Sequence, residues 1–462
     1  MHAFQFSSIE KRTLFGLSGI YALRMLGLFL LYPVFSLYAN ALVNGQNAML
    51  AGLALGAYPL AQAVLHIPMG MLSDRFGRKT IILIGLLLLA IGALICSFAN
   101  TIEWLIIGRL IQGSGAISAA ITALLADLTQ EEHRTASMAV IGITIALSFA
   151  IAIVAAPFLY SGIGMQGIFL FMAITALLAI PILYMVIPNP IRSPFHADTE
   201  TNFSTLRTVF SIKELWRLNF GILTLHASQM ALFYVLPFEL KNRFQLDIQA
   251  HTWIYLGAAL LSFIVMVPCI AIAESKDRLK PFFTGSVMVI ALSFALLAEP
   301  LQLLWVCLGL FLFLAAFNIL EASLPSLVSK IAPVSAKGSA IGIYATSQSI
   351  GIFLGAMIAG FLHAHFGLSA VYLCFTVWAL LWFFITLSMK KPPAVRTCLY
   401  GIGNLSRETA QTLTKELSKV KGVYEAIILS EDGVAMLKVD RHHFNETEVK
   451  QLIEDYTHGS IG

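Results

Sequence analysis

Apolar segments of about twenty residues follow one another along most of this chain, and short polar turns separate them. A helix needs about 20 residues to cross a hydrocarbon core of roughly 30 Å, so such segments predict transmembrane helices. Their succession predicts an all-α membrane protein with twelve of them. The predicted spans are residues 15–38, 49–72, 80–99, 103–125, 135–160, 167–187, 217–239, 252–273, 282–298, 301–327, 338–362 and 369–389.

An internal repeat divides the helical region into two halves. When the second half is laid on the first, charged and turn residues coincide over most of the length. This predicts a duplicated six-helix unit, and hence two pseudo-symmetric bundles with the substrate site between them near the bilayer midplane. The coinciding residues are Asp74-Arg75 with Asp277-Arg278, Arg134 with Lys337, Gly164 with Gly367 and, with one further residue of displacement, Pro33 with Pro237.

Changes in composition set the predicted domain boundaries. Residues 1–187 form the first bundle and residues 215–391 the second. Between them, residues 188–214 are rich in proline and polar side chains, which suits a cytoplasmic linker with a short surface helix near 204–215. After Pro392-Pro393 the chain becomes polar enough to fold in water, so residues 392–462 are expected to form a separate cytoplasmic domain.

The predicted elements of this last segment follow the order βαββα, which is typical of a small ferredoxin-like α+β domain. That fold implies no function by itself, and we expect it to contact a protein or a ligand in a regulatory role. It also resembles heavy-metal-associated domains, but it lacks Cys-x-x-Cys, and His442-His443 is a weak ligand pair. No metal or cofactor is therefore expected. The elements are strands at 395–402, 423–429 and 434–439 and helices at 406–422 and 445–456.

The composition agrees with a membrane protein. Hydrophobic residues make up 58% of the chain and charged residues only 12%, with a mean hydropathy of +0.82, which excludes an ordinary soluble globular protein. Lysine and arginine are concentrated in alternate loops, so both termini are expected to be cytoplasmic. The net charge of +4 is spread among those loops and does not predict binding to nucleic acid.

The polar loop between the second and third spans carries the most specific motif. Residues 70–82, the signature loop, match the pattern G-x-L-x-D-R-x-G-R-K-x-x-I almost throughout. Gly70 is expected to allow close helix approach, Gly77 a tight turn, and Asp74 an interaction with a positive helix N-terminus. An ordinary basic anchoring loop explains Arg75 and Arg78 but not these three residues. The loop resembles that of the major facilitator superfamily of transporters.

Three further segments resemble motifs of the superfamily, and each contains residues with a second interpretation. The segment from Gly108 to Gly115 is similar to the pattern R-x-x-Q-G-x-G, with Arg109 as its arginine. An arginine embedded in the membrane is expected to have a function, and the alternative is that Arg109 only hydrogen-bonds backbone carbonyl groups. In the first span, Gly27 and Pro33 fit a pattern that is typical of a bendable helix. Arg24 lies in the same span and either faces the transport pathway or extends to the cytoplasmic surface. The fifth-span antiporter motif keeps its proline but has alanine at its first glycines. The residues concerned are Arg109, Gly113 and Gly115; Arg24, Gly27 and Pro33; and Pro157.

Ionisable residues within the second half supply the candidate chemistry. Asn318 and Glu321 are one helical turn apart on one face of the tenth span. A carboxyl group there can exchange between neutral and charged forms, so Glu321 is the preferred proton- or substrate-linked acid, the alternative being a neutral acid sealed by hydrogen bonds. His66 and His226 are semi-polar candidates, or else packing residues.

Across essentially its whole length the chain resembles the YajR-type group of this superfamily, which adds a C-terminal ferredoxin-like domain to the twelve helices. In that group the loop aspartate meets the N-terminus of the eleventh helix, and the second loop arginine pairs with an aspartate at the end of the fourth. The matching residues are Asp74, Arg78 and Asp127. The resemblance implies that they latch the two halves together in the outward-open state.

Taken together, the sequence predicts a proton-driven secondary transporter of the inner membrane that exports small organic compounds by antiport. We expect its partners to be a small-molecule substrate, protons and the lipid bilayer, and we expect no enzymatic activity. Symport, uniport and a sensor that signals through residues 392–462 stay open as alternatives. No nucleotide-binding motif is present in the sequence.

Overall fold

A computed structural model describes residues 6–129, 131–189, 209–275, 278–299, 302–333, 336–390, 395–403, 405–429, 433–440 and 443–458. Most of the predicted linker, including the start of the helix expected near 204–215, lies outside these ranges, as does His442. The described chain is predominantly helical and ends in a three-stranded sheet with two helices.

The first half contains seven helical elements. Several transmembrane spans consist of more than one element because the helix is interrupted within the span. The elements are α1 (Ser8–Leu30), α2 (Phe35–Ala41), α3 (Ala48–Phe76), α4 (Arg78–Ser97), α5 (Ile102–Ser114), α6 (Ser118–Asp127) and α7 (Glu131–Pro181), the last followed by a π turn at Ile182–Val186.

The second half repeats this plan with longer continuous helices. Its elements are α8 (Lys213–Phe238), a π turn at Glu239–Arg243, α9 (Ile248–Ser275), α10 (Leu279–Ala298), α11 (Leu303–Ile331), α12 (Lys337–Phe366) and α13 (Leu368–Leu387).

Two glycines at equivalent positions support the internal repeat. Eleven helices in the described residues are long and apolar enough to cross a membrane, and one of these runs from Ser137 to Val186. It leaves helical geometry at Gly164, where φ is 65° and ψ is 179°, so it comprises two spans and the total is twelve. Gly367 has φ 83° and ψ 178° between α12 and α13. The left-handed region favours glycine, which explains why the two sequence positions coincide.

Three departures from the predicted spans, one at a boundary and two within a span, have local reasons. The first helix begins at Ser8 rather than residue 15, because the Ser7 hydroxyl and the Glu10 carboxylate form a capping box. The same span breaks at residues 31–34, where Pro33 cannot donate a backbone hydrogen bond. The fourth span breaks between α5 and α6, where Gly115 packs on the backbone of Gly85.

The C-terminal domain has its own apolar core. Strands β1 (Val395–Gly401), β2 (Val423–Leu429) and β3 (Val434–Asp440) pair antiparallel in the order β1-β3-β2. Helices α14 (Arg407–Leu417) and α15 (Glu446–His458) complete the predicted βαββα order. Side chains from both helices and from the sheet are buried together there, among them Leu413, Leu417, Leu437, Val439 and Val449.

A hydrogen bond between described residues joins this domain to the helical region. The Lys438 ammonium group on β3 donates a hydrogen bond to the Ala332 carbonyl oxygen at 3.0 Å. Ala332 follows α11 and precedes α12, the helix whose beginning is expected to face the signature loop. The domain therefore contacts the connection between two spans of the second half.

Candidate functional site

The signature loop is held within the first half by one arginine. Gly77, at φ 94°, makes the turn between α3 and α4, and Arg78 follows it directly. The Arg78 Nε lies 3.2 Å from Asp127 Oδ2 at the end of α6, while Nη1 donates to Ser73 Oγ at 2.8 Å and contacts Asp74 Oδ1. The loop thus connects the ends of α3, α4 and α6. Arg75 lies against the Phe76 ring and takes no part in this network.

Asp74 faces Arg78 rather than the other half. Its side chain is 39% exposed, and among the described residues its hydrogen bonds go to Arg78 alone. Among the described residues no hydrogen bond joins Asp74 to α12, so the contact with the start of α12 that the resemblance implied stays a prediction. Gly70 also differs from expectation, since a Cβ atom there would lie at an ordinary 3.6 Å from Ala119 and close approach does not require glycine.

The two halves meet closely at the end of the molecule opposite the signature loop. There the first turns of α3 pack on the last turns of α12, and a Cβ atom at Gly52 would lie 2.5 Å from the Ala356 carbonyl oxygen. At Gly360 it would lie 2.6 Å from the Ala48 carbonyl oxygen, which also accepts a 2.9 Å hydrogen bond from the Tyr234 hydroxyl. Small residues that let backbones touch are typical of tight membrane helix pairs.

At the signature-loop end, the described residues of the same two helices show no such backbone contact. A Cβ atom at Gly342 on α12 would meet nothing within 4 Å. The conformation is therefore closed at the opposite end and more open at the signature-loop end.

In the second half, His226 on α8 and Glu321 on α11 form a pair. Their Nε2 and Oε2 atoms are 3.0 Å apart, the histidine side chain is 8% exposed and the glutamate 38%. The Gln348 Nε2 atom on α12 lies 2.7 Å from the same imidazole nitrogen, and Phe317 packs edge-on against the ring. Three helices of the second half thus converge on one imidazole.

The contacts of His226 bear on its tautomer. The Nδ1 atom lies 3.1 Å from Gln229 Oε1, an acceptor, so this contact requires a hydrogen on Nδ1. In a neutral imidazole Nε2 is then an acceptor, which suits the Gln348 amide group beside it. A hydrogen bond between the same Nε2 and the Glu321 carboxyl oxygen requires a further proton, carried by the acid or by the imidazole.

Asn318 belongs to a different contact. It lies one turn from Glu321, as the spacing requires, but its Nδ2 atom donates to Ser262 Oγ on α9 at 3.1 Å. The described structure therefore places it beside the pair without bonding it to either member.

In the first half, the structure gathers the other candidates around Tyr58 on α3. Arg24 donates to the Tyr58 hydroxyl at 3.2 Å, and the Arg109 guanidinium lies 4.8 Å from the centre of the Tyr58 ring. Gln62 donates to the same hydroxyl at 2.9 Å, and His66 Nδ1 lies 2.8 Å from the Gln62 carbonyl oxygen. The first-half candidates thus share one polar cluster, which the sequence did not reveal.

The candidate packing residues fall into tight and loose positions. Gly113 packs on the Tyr58 backbone, and Gly115 on that of Gly85, so neither tolerates a side chain without movement. At Gly27 a Cβ atom would lie 2.8 Å from the flexible Met172 side chain. Pro33 lies at the break in the first span, whereas Pro157 lies inside α7.

Sequence reasoning missed several polar residues of both clusters. Tyr58 and Gln62 in the first half, and Gln229 and Gln348 in the second, were not selected as site residues. Three of the four are glutamines inside apolar segments, where an uncharged polar side chain also needs a partner. A glutamine within a predicted span was therefore the sequence feature that could have identified these residues.

Comparison with known families decides the class of this protein. The family model described as Major Facilitator Superfamily matches residues 17–356, most of the helical region. The chain belongs to the major facilitator superfamily. It is therefore a multi-pass membrane protein of a transporter family.

Relatives match most of the chain. The chain is 36% identical over 455 residues to the inner membrane transport protein YajR of Escherichia coli, covering 98% of this chain and 99% of YajR. It is 25% identical to multidrug resistance protein 1 of Bacillus subtilis, covering 73% of this chain and 86% of that protein. The crystal structure of a bacterial homologue of the human lysosomal transporter Spinster aligns with a TM-score of 0.66 at 14% identity, covering 83% and 98% of the two chains, which supports the fold.

Proposed function

We propose that this protein is a proton-driven secondary transporter that exports small organic compounds by alternating access, with both termini in the cytoplasm. The observation that carries the proposal is the hydrogen bond between His226 and Glu321. An acid and an imidazole in contact within a span are groups that can share one exchangeable proton, which supports the proposal. A solute that competes for either group changes the affinity for that proton, and this competition couples the two fluxes.

The proposal assigns separate roles to the two ends of the molecule. The contacts of Gly52 and Gly360 close one end, and the signature loop closes the other when Asp74 reaches the N-terminus of α12. Arg78 and Asp127 hold the loop ready within the first half. Alternation between these two closures exposes the His226–Glu321 pair to one side of the membrane at a time.

The names of two relatives support the efflux part of the proposal. One is named for multidrug resistance and one for tetracycline resistance, at 25% identity each. Neither name transfers a substrate to this chain, but export of a compound is one way for a transporter to give resistance to it. The inner membrane location follows the description of YajR.

Counterflow from proteoliposomes tests the proposal. Vesicles loaded with each of a panel of organic compounds should take up the labelled compound for at least one member, at a rate that depends on pH. The Glu321→Gln variant should exchange solute without that pH dependence, because an amide mimics only the neutral acid. Glu103→Gln is the matched control, since Glu103 bonds Asn44 near a helix end.

Two results would contradict the proposal. Unchanged pH dependence in Glu321→Gln would remove the proton from this pair. Specific binding of a compound with no flux of any panel member would indicate a sensor instead of a transporter.

A further inference from the structure

The interior of the first half contains two arginines that are almost fully buried. Arg24 is 4% exposed and Arg109 is 1% exposed. Arg24 lies sixteen residues after the start of α1, about 24 Å along the helix axis. A guanidinium group at such a depth is costly unless an anion, a dipole or water compensates its charge. The structure therefore has to show what compensates these two charges.

Among the described residues, the groups that contact the two guanidinium groups are all neutral. The two Nη atoms of Arg24 donate to the Ser118 and Tyr58 hydroxyl groups at 2.8 Å and 3.2 Å. Arg109 donates to Gln112 Oε1 at 3.1 Å and lies over the Tyr58 and Phe35 rings. The Nε atoms of both arginines are buried without any partner. Both side chains retain donor capacity and an unneutralised charge.

The described acidic residues of the first half do not neutralise the two arginines, because they lie at the ends of their helices. The four whose side chains are described lie in the first or last turns of helices and bond other groups. Each partner is a polar or basic side chain, except that Ser7 donates its backbone N–H to Glu10. The pairs are Glu10 with Ser7 and His133, Glu103 with Asn44, and both Asp74 and Asp127 with Arg78.

A row of polar side chains connects this cationic cluster to the more open end of the molecule. Tyr58, Gln62 and His66 are spaced four residues apart on α3, so they lie on one face of the helix. The row runs from the shared Tyr58 hydroxyl towards the signature loop, and His66 is partly exposed. A solute that enters from that end meets His66 first and the guanidinium groups last.

We infer that Arg24, Tyr58, Gln62 and His66 form an anion subsite that receives the carboxylate of an organic substrate, with the charge of Arg109 behind it. The inference rests on the proposed function and names its substrate class. A carboxylate supplies the missing negative charge, and its oxygens accept hydrogen bonds from donors of this row.

The test compares organic acids with neutral molecules of the same shape. Thermal unfolding of the purified full-length protein is followed with a panel of aromatic and aliphatic carboxylates, each paired with its amide. We expect at least one acid to stabilise the protein while its amide does not. In Arg24→Gln the apparent Kd of that acid should rise about tenfold or more, because hydrogen bonds to charged groups contribute about 1.5–3 kcal/mol.

Two further variants keep the result interpretable. Tyr58→Phe preserves the ring and removes only the hydroxyl that holds Arg24, so it should weaken the same acid several-fold even if Arg24→Gln folds poorly. Arg217→Gln is the matched control, because Arg217 pairs with Glu214 at the start of α8, away from the proposed subsite. The Arg217→Gln protein should therefore bind the acid with the affinity of the wild type.

Equal stabilisation by every acid and its amide would overturn the inference, as would normal acid binding in both Arg24→Gln and Tyr58→Phe. Those results would leave the proposed function standing if neutral or cationic compounds still show counterflow whose pH dependence requires Glu321.

Discussion

At the scale of single residues, the imidazole of His226 is the centre of the proposed chemistry. Its Nδ1 is bound to Gln229, so its Nε2 is the only nitrogen left to exchange a proton with Glu321. Gln348 Nε2 lies 2.7 Å from that same nitrogen and holds the ring from a third helix. A shift of any of these helices changes the distance across which the proton moves.

Replacing His226 with Gln should therefore reduce proton-coupled transport about tenfold or more. The change removes one partner of a hydrogen bond to an ionisable group, worth about 1.5–3 kcal/mol. The measurement is the pH profile of counterflow, with His365→Gln as control because His365 is exposed near the end of α12. A normal pH profile in His226→Gln would assign the proton to Glu321 alone.

At the scale of elements, the two ends of α3 are proposed to contact α12 in different conformations. Its first turns pack on α12 through Gly52 and Gly56, and its last turn carries Asp74. The first contact is formed in this conformation, whereas among the described residues Asp74 bonds Arg78. In the proposed transport cycle, α3 and α12 therefore rock against each other, so that their two ends close in alternation.

Gly52→Ala should weaken the closed end. The added methyl group would lie 2.5 Å from the Ala356 carbonyl oxygen, and overpacking of this kind costs about 1–3 kcal/mol. Spin labels at positions 72 and 341, in a chain without its native cysteines, should then report a shorter distance as the signature-loop end closes. Gly257→Ala is the control, since nothing lies within 4 Å of a Cβ atom there. An unchanged distance distribution would argue against rocking about this contact.

Asp74→Asn should have the opposite effect. It removes the charge that faces the N-terminus of α12 in the proposed second state, an interaction of about 0.3–1 kcal/mol when exposed and up to about 2 kcal/mol when partly buried. We expect a longer distance between the same labels and a several-fold loss of flux from a well-folded protein. Asp247→Asn, an exposed acid before α9, controls for loss of a carboxylate. Full flux in Asp74→Asn would contradict the latch.

Much of the element plan follows from local sequence, whereas the clusters do not. The apolar lengths predict twelve spans, and Gly164 and Gly367 mark equivalent turns because each has a positive φ. Tyr58 and Gln348 were missed because their importance arises from residues far away in the chain that pack against them. The state of the latch was also beyond the sequence, since one sequence must encode both conformations.

At the scale of the whole molecule, the C-terminal domain contacts the transporter at the Ala332 carbonyl between α11 and α12. It has a separate apolar core, so we expect it to fold without the bundles. We regard it as a modulator of α12 and not as part of the pathway.

Truncation after Lys391 should leave a membrane-inserted protein with measurable but altered flux. Lys438→Gln tests the contact more finely, because it keeps the domain and removes the ammonium group that binds Ala332. Both are measured by counterflow at equal amounts of inserted protein. Complete loss of transport in a correctly inserted truncation would make the domain obligatory.

The central claim is that solute movement and proton movement are coupled through the His226–Glu321 pair. The most direct test is the luminal pH of proteoliposomes, followed with an entrapped dye after a counterflow substrate is added outside. The account predicts that the luminal pH rises as solute enters and protons leave, and that Glu321→Gln exchanges solute with no pH change. Solute entry without any pH change in the wild-type protein would contradict the claim, and a fall in luminal pH would replace antiport with symport.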